Sequence, residues 1–259
     1  MSFFQRLARS LHLSQKKGND ARKLKPALFL HIQKTAGTTI VDLAWKHYGY
    51  SVCSHGNFES KQADDLADLS FISGHFGYEF AKPLMGSRYS FTFLREPEER
   101  ILSFYYFCRT RNPEEREIYQ LAQSMDLESF LQAGFENPLV KSLIWNSQVW
   151  RLACGYPNEL GRGIDDFTSV ELLHLAKTHL SKFSYVGFTE TFEEDRDVIL
   201  TALAMPLPRR QVISNANLGR PTRKEIPQHC QQLLNELTVL DRQLFNDAWS
   251  NRHVRVKDR

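Results

Sequence analysis

The stretch Ala27-Leu-Phe-Leu-His-Ile-Gln-Lys-Thr-Ala-Gly-Thr-Thr39 opens with a short apolar run, Ala27 to Ile32, of the length and composition of a buried parallel strand. A turn of small residues follows, Lys34-Thr-Ala-Gly-Thr-Thr39, and Ile40, Val41, Leu43, Ala44 and Trp45 then recur at helical spacing. The pattern predicts strand, tight loop and helix. The first N–H groups of such a helix lack intrahelical partners and point into the loop, and the helix dipole makes that position favourable for an anion such as phosphate. Lys34 adds a mobile positive charge, and the hydroxyls of Thr35, Thr38 and Thr39 add donors. The plainer alternative is a strand–helix turn with a solvated lysine.

The loop is not a Walker A sequence, which places its lysine after the last glycine; here Lys34 precedes Gly37. No G-x-G-x-x-G follows the strand, which disfavours a Rossmann dinucleotide site. Outward from the loop, further strands are expected at Leu69–Gly77, Arg88–Arg95 and Phe183–Thr189. Helices are expected over Thr38–His47, Lys61–Leu69, Glu96–Arg109, Asp126–Leu131, Leu143–Leu152, Glu171–Leu180, Phe192–Ala204 and Pro227–Trp249. Strands alternating with helices imply an α/β fold: a mainly parallel sheet covered by helices on both faces, with ligands beyond the strands' carboxyl ends.

At 259 residues, 42% apolar and 24% charged, the chain has ample core for one α/β domain, expected over 26–259. A net charge of +3 is too small to imply a nucleic-acid partner. Cys53, Cys108, Cys154 and Cys230 are widely spaced, form no C-x-x-C and read as reduced thiols. Phe3, Phe4, Leu7 and Leu11 lie at helical spacing among Arg6 and Arg9, so 1–17 reads as a basic amphipathic segment. Such a segment suits either an anionic membrane surface or packing on its own domain. Gly18–Lys25 reads as a linker. No apolar run is long enough for a membrane span, so the expectation is a cytoplasmic protein, membrane-associated if 1–17 binds a bilayer.

A second constellation is Phe91-Thr-Phe-Leu-Arg-Glu-Pro-Glu-Glu-Arg-Ile-Leu-Ser103. Arg95 closes a strand where a guanidinium can grip a phosphate, and Arg100 and Ser103 share a helix face. The arginines equally fit pairing with Glu96, Glu98 or Glu99. The third piece is His75, set between Gly74 and Gly77, which allow close approach. Its imidazole suits proton transfer near neutral pH, although a lone histidine at a strand end also fits a structural role.

Together these stretches resemble the sulfotransferases, and more closely the heparan sulfate 2-O- and 6-O-sulfotransferase-like carbohydrate enzymes. His31-Ile-Gln-Lys-Thr-Ala-Gly-Thr38 is similar to their 5′-phosphosulfate loop, and Arg95-x-Pro-x-x-Arg-x-x-Ser103 to their 3′-phosphate motif. The resemblance implies a P-loop-like three-layer fold and 3′-phosphoadenosine 5′-phosphosulfate (PAPS) as donor. It implies Lys34, Thr35, Ala36, Gly37, Thr38 and Thr39 around the 5′-phosphate, with Arg95 and Ser103 on the 3′-phosphate. It also implies Lys34 in charge stabilisation, His75 as general base and no metal. Ala36 stands where glycine is commonest, a change its small side chain should tolerate. Asn146-Ser-Gln-Val-Trp-Arg151 and an Asn- and Arg-containing loop, Asn217–Arg223, resemble cleft segments, making Asn146, Arg151 and Arg220 candidate acceptor ligands, with capping or bridging the alternative for Asn146 and Gln148. Arg109, Arg111, Arg151, Arg209, Arg210 and Arg223 fit an anionic glycan cleft or a solvated surface equally. The expected acceptor is a carbohydrate or a lipid-linked sugar. The competing classes are a nucleotide kinase or NTPase, which would hydrolyse ATP with magnesium, and a binding module that holds donor without turnover.

Overall fold

The computed structural model describes residues 24–54, 56, 58–59, 61–155, 161–208, 221 and 225–252. The amphipathic segment 1–17, Arg209, Arg210, Arg220 and Arg223 lie outside these residues. Five strands form one all-parallel sheet in the order β2-β3-β1-β4-β5. They are β1 (Ala27–Leu30), β2 (Val52–Cys53), β3 (Phe71–Gly74), β4 (Tyr89–Leu94) and β5 (Tyr185–Phe188). β1 is central, with Leu30 opposite Gly74 of β3 on one side and Thr92 of β4 on the other.

Side chains of a strand alternate between faces, and here both faces are covered. Ala27 and Phe29 of β1, with Phe71, Phe91 and Phe93, pack on α1 (Gly37–Tyr48) and α9 (Phe192–Ala202). Leu28 and Leu30, with Ile72, Leu94 and Phe188, pack on the opposite layer. That layer is built from α2 (Tyr78–Met85), α7 (Ser147–Ala153), α8 (Ser169–Leu180) and α11 (Val239–Ser250). A third apolar cluster joins α3 (Pro97–Arg109), α4 (Glu117–Ser124), α5 (Leu127–Glu136), α6 (Pro138–Ile144) and α10 (Gln228–Leu237). The chain is thus the expected α/β sandwich with helices on both sides of a parallel sheet.

Several elements differ from the sequence expectation. β2 is two residues long, too short to show periodicity. α2 carries an internal proline, Pro83, which argues against a helix in the sequence. The segment expected as a short helix at Lys61–Leu69 holds only a 3-10 turn at Asp64–Leu66. The expected helix Leu143–Leu152 is two helices broken at Trp145–Asn146, where Asn146 takes a left-handed conformation at φ 41°. The expected helix Pro227–Trp249 breaks at Thr238, whose hydroxyl donates back to the Leu234 carbonyl at 2.7 Å.

Glycines fix two close approaches. A Cβ on Gly187 would meet the Phe93 ring at 2.6 Å, so the small residue makes room for an aromatic core neighbour. A Cβ on Gly77 would lie 2.0 Å from the Cys154 carbonyl oxygen, so the loop after β3 is pressed against the backbone at the end of α7. Gly77→Ala is therefore expected to lower the unfolding free energy by about 1–3 kcal/mol in urea titrations. Gly86→Ala, at helical φ with nothing within 4 Å of the added carbon, should be neutral or raise it by up to about 1 kcal/mol.

Candidate active site

The loop after β1 is shaped by the residues that leave the strand. The His31 N–H continues the ladder to the Gly74 carbonyl at 3.0 Å, and its ring is buried, stacked on Phe29 at 4.9 Å between centroids. Thr35 turns inward and its hydroxyl donates to the Ile32 carbonyl at 2.8 Å, closing the turn. Lys34 and Ala36 on either side adopt left-handed conformations at φ 70° and 63°. A Cβ on Gly37 would lie 2.2 Å from His31 Nε2, so only glycine can begin α1 over that ring. Ala36 is accommodated by space but not by backbone: a non-glycine residue in this region carries strain of roughly 1 kcal/mol. The expectation that its small side chain is tolerated needs that correction.

The loop after β3 carries His75, half-buried and tilted against His31 with ring centroids 4.5 Å apart. His75 Nδ1 lies 2.7 Å from the His31 carbonyl oxygen. Arg151, on α7, donates through Nη1 to the His75 carbonyl. The glycines flanking His75 allow close approach, as the sequence suggested, and what approaches is the protein itself. A Cβ on Gly74 would strike Phe76 and Phe58, and one on Gly77 the end of α7, so both serve packing that seats the histidine.

The loop after β4 carries Arg95. Gln148 clamps its main chain from both directions, Oε1 accepting from the Arg95 N–H at 3.0 Å and Nε2 donating to the Arg95 carbonyl at 2.9 Å. Arg95 Nη1 reaches across to donate to the Lys34 carbonyl at 3.0 Å, tying this loop to the first. Glu99 stands 3.9 Å from its other terminal nitrogen, so the ion-pair reading and the ligand-facing reading both describe part of its surroundings. Glu190 accepts from the Glu96 N–H at 2.7 Å and Glu96 from the Glu99 N–H, which caps α3. Burial raises the Glu190 carboxyl. Arg100, the other arginine of this stretch, is buried, donates to the Leu143 carbonyl and is pushed down to about 10 by burial.

Because β3, β1 and β4 are adjacent and parallel, these loops meet at one edge of the sheet. They line a cavity of about 1070 Å³ that brings together Lys34, Ala36, Gly37, Thr38, His75, Arg95, Ser103 and Arg151. The same cavity is lined by Phe58, Phe104, Phe107, Arg111, Ile118 and Tyr119, and by Glu59 and Arg116, which stand 3.9 Å apart. Burial pushes the Lys34 ammonium down to about 8, and the nearby Arg95 guanidinium adds to the shift. Among the described residues no group of three or more His, Cys, Asp or Glu side chains is arranged to hold a metal ion.

Other candidates fall away from the cavity. Thr35 and Thr39 are buried and do not line it, and the Thr35 hydroxyl proton is committed to the turn. Asn146 is buried; its Oδ1 accepts from the N–H groups of Leu240 and Asp241 at 2.8 and 3.1 Å, capping α11 rather than facing a ligand. Arg109 donates to Tyr105, Ala122 and Met125, a structural role. Gln148, read from sequence as capping or bridging, bridges the two sides of the Arg95 main chain; the sequence did not name Arg95 as its partner, nor Phe107 as a cavity wall. The signal for Gln148 was its place in the Asn-x-Gln segment; Phe107 showed only as one more aromatic of a helix.

Asn146→Ala removes the acceptor for two buried N–H groups and should lower the unfolding free energy by about 1–3 kcal/mol in urea titrations. Gln148→Leu, which leaves the Arg95 main chain unclamped, should weaken anion binding in this cavity, read as a lower affinity for a nucleotide bisphosphate by calorimetry.

Among the described residues no helix is long and apolar enough to cross a membrane. No curated protein matches the chain. A family model described as the sulfotransferase family matches residues 23–246, from the segment leading into β1 to well inside α11. The match takes in every loop that lines the cavity, and the chain belongs to this family of enzymes that transfer sulfuryl groups.

Proposed function

We propose that the chain moves a sulfuryl group from PAPS to a hydroxyl of a carbohydrate acceptor, with His75 as general base. The observation that carries this reading is the 2.7 Å contact of His75 Nδ1 with the His31 carbonyl oxygen. A carbonyl only accepts, so in the neutral ring Nδ1 carries the proton and Nε2 is the basic nitrogen. His75 then takes the proton of the acceptor hydroxyl as its oxygen attacks sulfur, and Arg151 holds the histidine's main chain while it does so.

The residues present suit an anionic donor. The N-terminus of α1 opens on the cavity at Ala36, Gly37 and Thr38, where main-chain N–H groups of residues 36–39 hold the 5′-phosphate. Arg95 and Ser103 hold the 3′-phosphate from the neighbouring loop and helix. Lys34 stabilises the negative charge that grows on the oxygen of the departing phosphate. The donor supplies the activated sulfuryl group. The cavity exceeds the several hundred Å³ that a small ligand fills, leaving room for a sugar beside its aromatic side chains.

Calorimetric titration with adenosine 3′,5′-bisphosphate, beside ADP and ATP with magnesium, tests the donor. Selective binding of the 3′,5′-bisphosphate, weakened by Arg95→Ala, is expected; preference for ATP would replace this reading with an NTPase. His75→Ala should reduce transfer by about 10²–10⁴-fold with bisphosphate affinity unchanged, and normal turnover in that variant would refute the base assignment. A phosphate favours the charged form of Lys34, so binding takes up a proton once the lysine begins to lose its own. Affinity should be full below pH 8 and fall up to about tenfold per unit above it. Titrations between pH 7 and 9.5 in buffers of different ionisation heat read this directly, since the phosphates are already ionised there.

A further inference from the structure

We propose that Phe107 is a positioning residue for Lys34: its ring face holds the lysine ammonium inside the cavity and yields it to the anionic donor. The identity of that anion rests on the function proposed above; the contact itself does not. Lys34 Nζ stands 3.9 Å from the centroid of the Phe107 ring. Phe107 lies in the last turns of α3, half-buried, and lines the same cavity. The Arg111 guanidinium carbon is 4.2 Å from the same centroid, so two cations share one ring.

The surroundings of Lys34 explain why a ring is used. The charged and titratable groups that face it are Arg95 from the end of β4, Arg100 and Cys108 from α3, and Arg111 just beyond α3. Three of these are cations. Burial pushes the Cys108 thiol up to about 12, so it offers no negative charge. Among the described residues no carboxylate forms an ion pair with Lys34. An aromatic face attracts a cation through its quadrupole, most strongly where water is excluded, and brings no charge of its own. A carboxylate in that place would bind the ammonium more firmly, compete with the donor phosphate and cancel the positive field of the loop. A leucine would give the same burial with no attraction.

The test is the titration of Lys34 Nζ by ¹⁵N-resolved NMR in the ligand-free protein, with the signal assigned through Lys34→Arg. Phe107→Leu keeps the burial and the neighbouring cations but removes the ring. Its Lys34 midpoint should fall below the native value near 8 by about half a unit to one unit. Phe107→Trp restores a ring face and should leave the midpoint at or above the native one. The alkaline fall of kcat/KM for the donor should move with the midpoint in both variants. A midpoint that is unmoved or raised in Phe107→Leu, or that falls equally in Phe107→Trp, overturns the proposal. Should Phe107→Leu fail to fold, Phe107→Trp decides alone, and a midpoint below the native value overturns it. The NMR titration contains neither donor nor acceptor. Failure of the 3′,5′-bisphosphate to bind would therefore sink the functional reading, while a shifted midpoint would still uphold the contact.

Discussion

The main-chain hydrogen bonds that β1 makes along both of its edges are the constraint on which the site depends. With β3 on one side and β4 on the other, three parallel strands release their loops at one edge of the sheet. The ladder extends past β1, where the His31 N–H reaches the Gly74 carbonyl, and within the strands the Thr92 hydroxyl adds a side-chain bond to the Leu30 carbonyl at 2.8 Å. Register is held by alternation, since a one-residue slip of β1 would turn Phe29 and Leu30 to each other's faces and bury both against the wrong layer. It would also carry the His31 carbonyl away from His75. The orientation of the proposed base is thus set by strand register, not by a side chain chosen for that purpose.

A second set of supports comes from helix ends that satisfy each other. Asn146, just before α7, accepts the first N–H groups of α11, while Asp241 of α11 accepts those of Gln148 and Val149 at the start of α7. Each helix caps the other in place of a local N-cap residue. Asp241 is buried, which pushes its carboxyl up to about 6 against the opposing pull of the Val149 N–H and the Arg100 charge. Breaking such a buried arrangement from one side leaves polar groups stranded, so these residues are coupled. Gln148 sits in this joint and extends it to Arg95. Arg100, read from sequence as sharing a face with Ser103, belongs to this support and not to the cavity.

What was legible in the sequence was the main-chain logic. Apolar runs ended by small residues or by a proline at a helix start located β1, β3, β4 and β5 and the loops after the first three, because strand and helix periods differ enough to be read locally. β2 has two residues, too few for a period, and Pro83 inside α2 argues against a helix in the sequence. The break at Asn146 was invisible for another reason. Apolar spacing continues through Trp145 and Val149, and only the partner helix, some ninety residues later, supplies the N–H groups that make a left-handed asparagine worthwhile. Side-chain roles divide the same way. Lys34, His75 and Arg95 follow directly from strand ends and Thr35 closes its own turn, whereas Asn146 and Arg100 are polar groups whose partners are chosen by tertiary packing.

The cavity also differs from an ordinary charged surface in how its cations are held. Arg95 donates to the Lys34 carbonyl, Arg151 to the His75 carbonyl, and Lys34 rests on the Phe107 ring. Carbonyls and rings orient a cation without cancelling its charge, whereas a carboxylate does both. Glu99 lies 3.9 Å from a terminal nitrogen of Arg95, beyond direct hydrogen-bonding distance. The consequence appears as a cost at Lys34, whose ammonium is driven down to about 8 by burial among like charges. A protein accepts such a cost where an anion is to be bound, because the free energy recovered on binding includes the repulsion relieved among the cations. The strained left-handed residues Lys34 and Ala36 lie in the same loop. Strain and uncompensated charge both gather at the turn before α1, where the helix N-terminus can repay them only to a bound anion.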